Sequence, residues 1–207
     1  MSSGDHEEKP VTAVAYAGTD IPERSEWTVD DLKDLPKDFR YELVNGRLIV
    51  PSPTAMHQDI AHRVKSALEE HCPDGYVVST DQSLAIDVKN EPRPDVVVMP
   101  AEHFDVSPVP VAGSLLVVEV ISATQTVREM VDKARAYSSA KIGHYWIIDP
   151  LREQIELIEM ILDDAGRGYD YGEATAGVFR TQQPFPVVLD LPALSKRHAA
   201  IRGRKSS

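Results

Sequence analysis

In the run GSLLVVEVIS, residues 113–122, a single carboxylate, Glu119, interrupts a stretch of Leu and Val suited to complete burial. Moving an isolated ionised carboxylate into a dry interior costs on the order of tens of kcal/mol by idealised Born estimates, against a total stability of about 5–15 kcal/mol. Glu119 must therefore be paired, protonated, hydrated or metal-bound. The two-residue alternation of a strand puts Leu115, Val117, Glu119 and Ile121 on one side, with the acid near the carboxyl end, where sites form in open α/β sheets.

The same anomaly occurs about twenty residues earlier, in RPDVVVMP, where Asp95 stands at the mouth of a Val-rich run. Two carboxylates on neighbouring strands repel each other and raise one pKa unless a cation lies between them. A hard divalent ion, Mg²⁺ or Mn²⁺, binds oxygen ligands and resolves that conflict. The plainer reading of Asp95 is a turn or an ion pair with Arg93. Lys133 follows on the next helical segment, on the flank of its apolar stripe and on the side shared with Glu129 and Tyr137. From there a long side chain reaches the end of the sheet, the alternative being an i,i+4 pair with Glu129.

These residues need elements to position them. WTVDDLKDLP reads as a short helix capped by Thr28 and stopped by Pro36. RYELVNGRLIV carries Asn45-Gly46 between two β-prone runs, which predicts a hairpin over 40–50. Glu42 in its first strand faces opposite to Tyr41 and Leu43, an orientation compatible with solvent. AMHQDIAHRVKSALEEHC has the three-four spacing of an amphipathic helix at Ile60, Ala61, Val64, Ala67 and Leu68. His57 lies near its start, where the helix dipole lowers an imidazole pKa and leaves a neutral ring able to accept a proton or a ligand; a capping or core histidine is the alternative. Short strands are expected at 76–80 and 83–88, before the two acid-bearing runs. TQTVREMVDKARAYSSA is a second helix with Val127, Met130, Val131 and Ala134 as its buried stripe. GHYWIIDP, EQIELIEMI and YDYGEAT supply further strands, with Tyr145 and Trp146 in the core. The fold class is α/β in the mixed α+β sense, a mixed sheet flanked by helices with an N-terminal hairpin.

The 207 residues, 42% hydrophobic and 27% charged, suit one domain, expected over 25–194, with a disordered leader at 1–24 and a basic flexible tail at 195–207. Net charge is −11, from 22 basic against 33 acidic side chains, so the chain as a whole repels polyanions. That counts against a nucleic-acid coating protein but not against an enzyme whose metal and local basic patch reverse the field at its site. The lone Cys72 excludes an internal disulfide framework. No apolar run approaches the roughly 20 residues of a bilayer span, and MSSGDHEEKP lacks a signal-peptide pattern, so no membrane partner and a cytoplasmic location are expected.

Taken together, YELVNGRLIV, PSPTAMHQDIAHRV, RPDVVVMP and LLVVEVISATQTVREMVDKARAYSSAKIGHYWIIDP resemble the Uma2 family, also known as DUF820 and labelled as restriction endonuclease-like, over residues 27 to 192. The resemblance implies a PD-(D/E)XK nuclease-like fold whose site gathers acids around Mg²⁺ with a lysine nearby. It makes Asp95 the acid of the PD motif and Glu119 that of the following strand. Ile121 occupies the place where the wider superfamily carries its lysine, and Lys133 stands for that lysine on the next helix. Glu42 and His57 correspond to the family's early glutamate and histidine, and Glu129 replaces its usual aspartate. The expected activity is metal-dependent endonucleolytic hydrolysis of nucleic acid, DNA foremost. Asp95, Glu119 and Glu42 would hold Mg²⁺ or Mn²⁺, Lys133 and His57 would complete the catalytic set, and a homodimer would suit cutting both strands. The alternative is a catalytically degenerate nuclease fold that binds nucleic acid or protein.

Overall fold

A computed structural model describes residues 21, 24–36 and 39–203. Most of the proposed leader, residues 1–20 and 22–23, and the last four residues of the chain lie outside the described residues.

The first described element departs from expectation. Only a 3-10 turn forms, at Asp31–Asp34, and the cap runs in reverse: the Asp31 carboxylate accepts from the Thr28 amide at 2.8 Å and its hydroxyl at 2.7 Å. The hairpin forms where Asn45-Gly46 placed it, with β1 (Glu42–Val44) and β2 (Arg47–Ile49) antiparallel and Glu42 opposite Ile49. Asn45 and Gly46 both adopt positive φ, 49° and 72°, the geometry of a tight turn of this kind. Helix α1 (Ala55–Glu69) starts at Thr54, whose hydroxyl accepts from the His57 amide, and buries His57, Ile60, Ala61, Val64 and Leu68. β3 (Tyr76–Thr80) follows. The strand expected over 83–88 is reduced to β4 (Leu84–Ala85), because Asp87 and Asn90 close a turn. Next come β5 (Val96–Pro100), β6 (Val109–Pro110), β7 (Leu116–Val120), α2 (Val127–Ser139), β8 (His144–Asp149), β9 (Glu156–Leu162), β10 (Tyr169–Tyr171), β11 (Val178–Thr181), β12 (Val187–Asp190) and α3 (Leu191–Gly203).

Six strands form one sheet in the order β10-β9-β8-β7-β5-β3. β7 and β8 are parallel, joined by the crossover through α2, and every other neighbour is antiparallel. Alternation along the central strands divides the apolar side chains between two cores. Val96, Val98, Leu116, Val118, Val120, Trp146 and Ile148 face α1, α3 and the β11–β12 pair. Val97, Met99, Val117 and Tyr145 face α2 with Tyr137. A third cluster, of Trp27, Leu32, Leu35, Phe39 and Leu43, anchors the hairpin. The result is the expected mixed sheet flanked by helices, with the hairpin at its N-terminal side. Among the described residues no helix is long and apolar enough to cross a membrane.

Two helices correct the sequence reading. α2 does not bury Val127 and Val131, which are 72% and 42% exposed; it buries Asp132, Lys133, Ala136, Tyr137 and Ser138 instead. The segment read as a flexible tail from 195 is helical through Gly203. Leu191, Leu194 and His198 point into the fold at three- and four-residue spacing, and the Asp190 carboxylate accepts from the Ala193 amide at the helix start.

Candidate active site

The antiparallel register of β5 and β7 pairs Val97 with Val117 and Val96 with Val118, so one further step sets Asp95 beside Glu119. All three positions 95, 97 and 117 share a parity with 119 that places them on the α2 side of the sheet. α2 crosses that face after the capping box at Thr126 and Glu129 has fixed its first turn. Glu129 is thereby committed to the Thr126 amide, at 2.9 Å, and the i,i+4 alternative for Lys133 falls away.

Lys133 and Tyr137, one turn apart, both reach Glu119. The Lys133 ammonium donates to Glu119 Oε1 and Oε2 at 3.0 and 2.8 Å, and the Tyr137 hydroxyl donates to Oε1 at 2.6 Å. The same ammonium lies 2.7 Å from Glu42 Oε2. Glu42, compatible with solvent on strand alternation alone, is 8% exposed, because α2 packs over β1 and the Arg93 amide donates to its carboxylate at 3.4 Å. Lys133 and Glu119 are each 4% exposed.

Asp95 and His57 form the other half. Asp95 Oδ2 accepts from the Val120 amide at 2.6 Å and lies 3.3 Å from His57 Nε2, which is itself 2.8 Å from the Val120 carbonyl. The alternative ion pair of Asp95 with Arg93 is absent among these contacts; Arg93 donates instead to the Asp81 carbonyl at 2.9 Å. His57 Nδ1 is buried without a hydrogen-bond partner. The structure thus brings Glu42, Asp95, Glu119, Lys133 and His57 to one end of the sheet in two linked groups.

Electrostatics follow from burial with too little positive charge. The Glu119 carboxyl is pushed up to about 7, first by burial and then by Asp95 and Glu42, with Lys133 opposing. Burial alone would lower Lys133, but Glu119 and Glu42 outweigh it and hold the ammonium far above its ordinary value. His57 reverses expectation. Burial lowers it, yet the hydrogen bond and charge of Asp95, the Val120 carbonyl and Glu119 together raise it, so the helix dipole does not decide its charge. Burial and the neighbouring Glu119 push the Tyr137 hydroxyl well above its usual value, fixing it as a donor.

Sequence reasoning did not assign Tyr137 a role, although its position four residues beyond Lys133 was the available signal. It also missed Asp132, buried beside the guanidinium groups of Arg128 and Arg135, each 3.8 Å away. Neither a stripe of apolar residues nor a motif spacing marks a carboxylate that packs inward on a helix.

Three carboxylates against one permanent cation leave a negative excess of hard oxygen donors, which suits Mg²⁺ or Mn²⁺ in charge and donor type. Among the described residues no three acid, histidine or cysteine side chains already surround a single point fit to hold an ion, since Lys133 spans Glu119 and Glu42.

The family model Uma2, described as "Putative restriction endonuclease", matches residues 29–191. A solved structure described as a putative nuclease belonging to DUF820, from Anabaena variabilis ATCC 29413, superposes with a TM-score of 0.61 at 15% identity, covering 82% of this chain and 97% of that one. At that identity the likeness concerns the fold. No curated protein matches the chain significantly.

Proposed function

Because the chain belongs to the Uma2 family, we propose that it is a metal-dependent endonuclease that hydrolyses phosphodiester bonds of nucleic acid, with DNA as the substrate. The observation that carries this reading is the register that sets Asp95 beside Glu119 while Lys133 is bound to Glu119. In this reading Asp95 and Glu119 hold Mg²⁺ or Mn²⁺ with help from Glu42. An ion held there would supply Lewis acidity toward the phosphate and would lower the pKa of a water bound to it.

The protein's own groups have separable parts. Glu119 and Glu42 hold Lys133 as an ammonium, so it acts as a positive charge that orients water or stabilises the charge developing on phosphorus. Tyr137 holds Glu119 in one rotamer. His57, held between Asp95 and the Val120 carbonyl, keeps the Asp95 carboxylate in place. Two chains acting together would suit scission of both strands.

The three hydrogen bonds that Glu119 accepts from Lys133 and Tyr137 favour a second reading, a nuclease fold that only binds its partner. Incubating plasmid and oligonucleotide substrates with purified protein in Mg²⁺, Mn²⁺ or EDTA, beside Asp95→Ala and Lys133→Ala, separates the two. We expect cleavage with either metal, none in EDTA and at least a 100-fold loss in both variants, on the scale of removing one group that stabilises the transition state. Cleavage persisting in Asp95→Ala would remove the mechanism, and tight binding without cleavage in every metal would establish the binding module.

A further inference from the structure

The basic residues of 195–203 have no part in the site above, yet they are helical and lie at the same end of the sheet. α3 contains Lys196, Arg197, His198 and Arg202 and no acid, in a chain of net charge −11. Its fastening explains why it is not a loose tail. The Ser195 hydroxyl accepts from the Ile155 amide at 2.9 Å, and Asp59 of α1 receives Arg197 at 3.1 Å and His198 Nε2 at 3.2 Å. Asp59 is held well below the usual carboxylate range, by Arg197 first and with Arg63 and His198 adding to it, so it is an anion there.

Between α3 and the turn after β8 lies a cleft of about 40 Å³, lined by Pro150, Arg152, Glu153, Ser195, His198 and Arg202 among others. That is room for roughly three water-sized groups, the scale of a tetrahedral oxyanion that keeps one side in solvent. Two of its groups lack a polar partner of suitable kind. His198 is 6% exposed, and its Nδ1 is buried with no hydrogen-bond partner while Nε2 faces the Asp59 carboxylate. With Nε2–H donated to Asp59, Nδ1 is either an idle lone pair or, in the imidazolium, an orphaned donor. Arg202 has the Met56 sulfur, 3.0 Å from Nη2, as its hydrogen-bond acceptor, a poor match for a guanidinium. Arg152 is partly neutralised by Asp149 at 3.0 Å, and Glu153 sets a limit on how much negative charge the cleft tolerates.

The position is equally informative. Met56 precedes His57 in α1, and the cleft opens directly after β8, whose Ile148 carbonyl accepts from the Ile121 amide just beyond Glu119 and Val120. We propose that this cleft binds a backbone phosphate of the nucleic acid, with Arg202 as donor, Arg152 assisting and His198 Nδ1–H donating when the ring is an imidazolium, so that the strand is held at the end of the sheet that carries Asp95 and Glu119. The inference rests on the nuclease reading for the source of the phosphate, not for the existence of the phosphate site.

The test uses the full chain in EDTA at 50 mM salt, so that no cleavage intervenes. The imidazole ¹H–¹⁵N signals of His198 are followed while inorganic phosphate, and separately a short DNA duplex, is added, with His198→Gln to assign them. Saturable movement of those signals with the duplex is expected, weaker movement with phosphate, and loss of both in Arg202→Ala. Duplex affinity should fall several-fold in Arg202→Ala and Arg152→Ala, and the slope of log affinity against log salt should shrink by about one for each phosphate-binding cation removed. Signals that move with inorganic phosphate but not with the duplex overturn the assignment to nucleic acid. Signals unmoved by either, in a protein of unchanged circular dichroism, overturn the phosphate site itself. Absence of cleavage under any metal would end the nuclease reading while leaving these shifts to stand or fall separately.

Discussion

Glu119 concentrates the energetics of the site in one carboxyl group. Its charged form is disfavoured by burial and supported by three hydrogen bonds, two from Lys133 and one from Tyr137. Tyr137→Phe removes one of these while preserving ring packing against Tyr145, so a stability loss of about 1.5–3 kcal/mol is expected, the range for hydrogen bonds to charged groups. Urea denaturation would measure it, and a loss below a few tenths would mean Glu119 is carried by Lys133 alone. The raised pKa also sets a pH dependence. A carboxyl at about 7 in the folded state and about 4.5 unfolded keeps its proton longer when folded, so stability from this group is greatest below about 4.5 and declines until about 7. His57, also raised, is stabilising below its unfolded value and loses that contribution as pH climbs through its folded value, reinforcing the trend. Melting temperatures from pH 4.5 to 8 should therefore fall more steeply in the wild type than in Glu119→Gln; parallel curves would show that Glu119 is ionised throughout.

At the level of elements, the hairpin matters because β1 carries Glu42 toward Lys133. Gly46 sits at φ +72°, and a Cβ there would come within 2.8 Å of the Glu26 side chain. Gly46→Val should cost about 1–3 kcal/mol in backbone strain and shift Glu42, lowering nuclease activity more than a distant substitution of equal cost. Thermal melts beside activity assays would check this, and full activity at reduced stability would detach the hairpin from the site. The hairpin and α1 were legible because local chemistry, Asn-Gly and a three-four apolar pattern, decided them. The orientation of α2 is not legible in its own sequence because the helix carries two stripes, and the more apolar one, with Val127 and Val131, faces solvent. What turned the helix was the buried Glu119 on the sheet beneath it, which demands Lys133, and no helix-internal pattern reports a charge on another element. α3 did carry a faint signal, Leu191, Leu194 and His198 at three- and four-residue spacing, outweighed in the reading by its string of basic residues.

Across the whole molecule, the acidic balance of −11 means that association with a polyanion relies on local positive charge and on whatever cation the carboxylates recruit. The chain should therefore bind Mg²⁺ or Mn²⁺ in the folded state only. A ligand at 100 times its Kd adds about 2.7 kcal/mol to the unfolding free energy, so millimolar Mn²⁺ should raise the melting temperature of the wild type and leave Asp95→Asn unmoved. An equal shift in both would place the ion elsewhere.

The separation of the apolar residues into distinct clusters has a practical consequence. The chain has two tryptophans, and Trp27 lies in the small cluster under the hairpin whereas Trp146 lies in the large one between the sheet and α1. Each body thus contains its own fluorophore. Trp27→Phe leaves an emitter that reports the central scaffold, Trp146→Phe leaves one that reports the mounting of Glu42, and any difference between their unfolding curves shows whether the two come apart together.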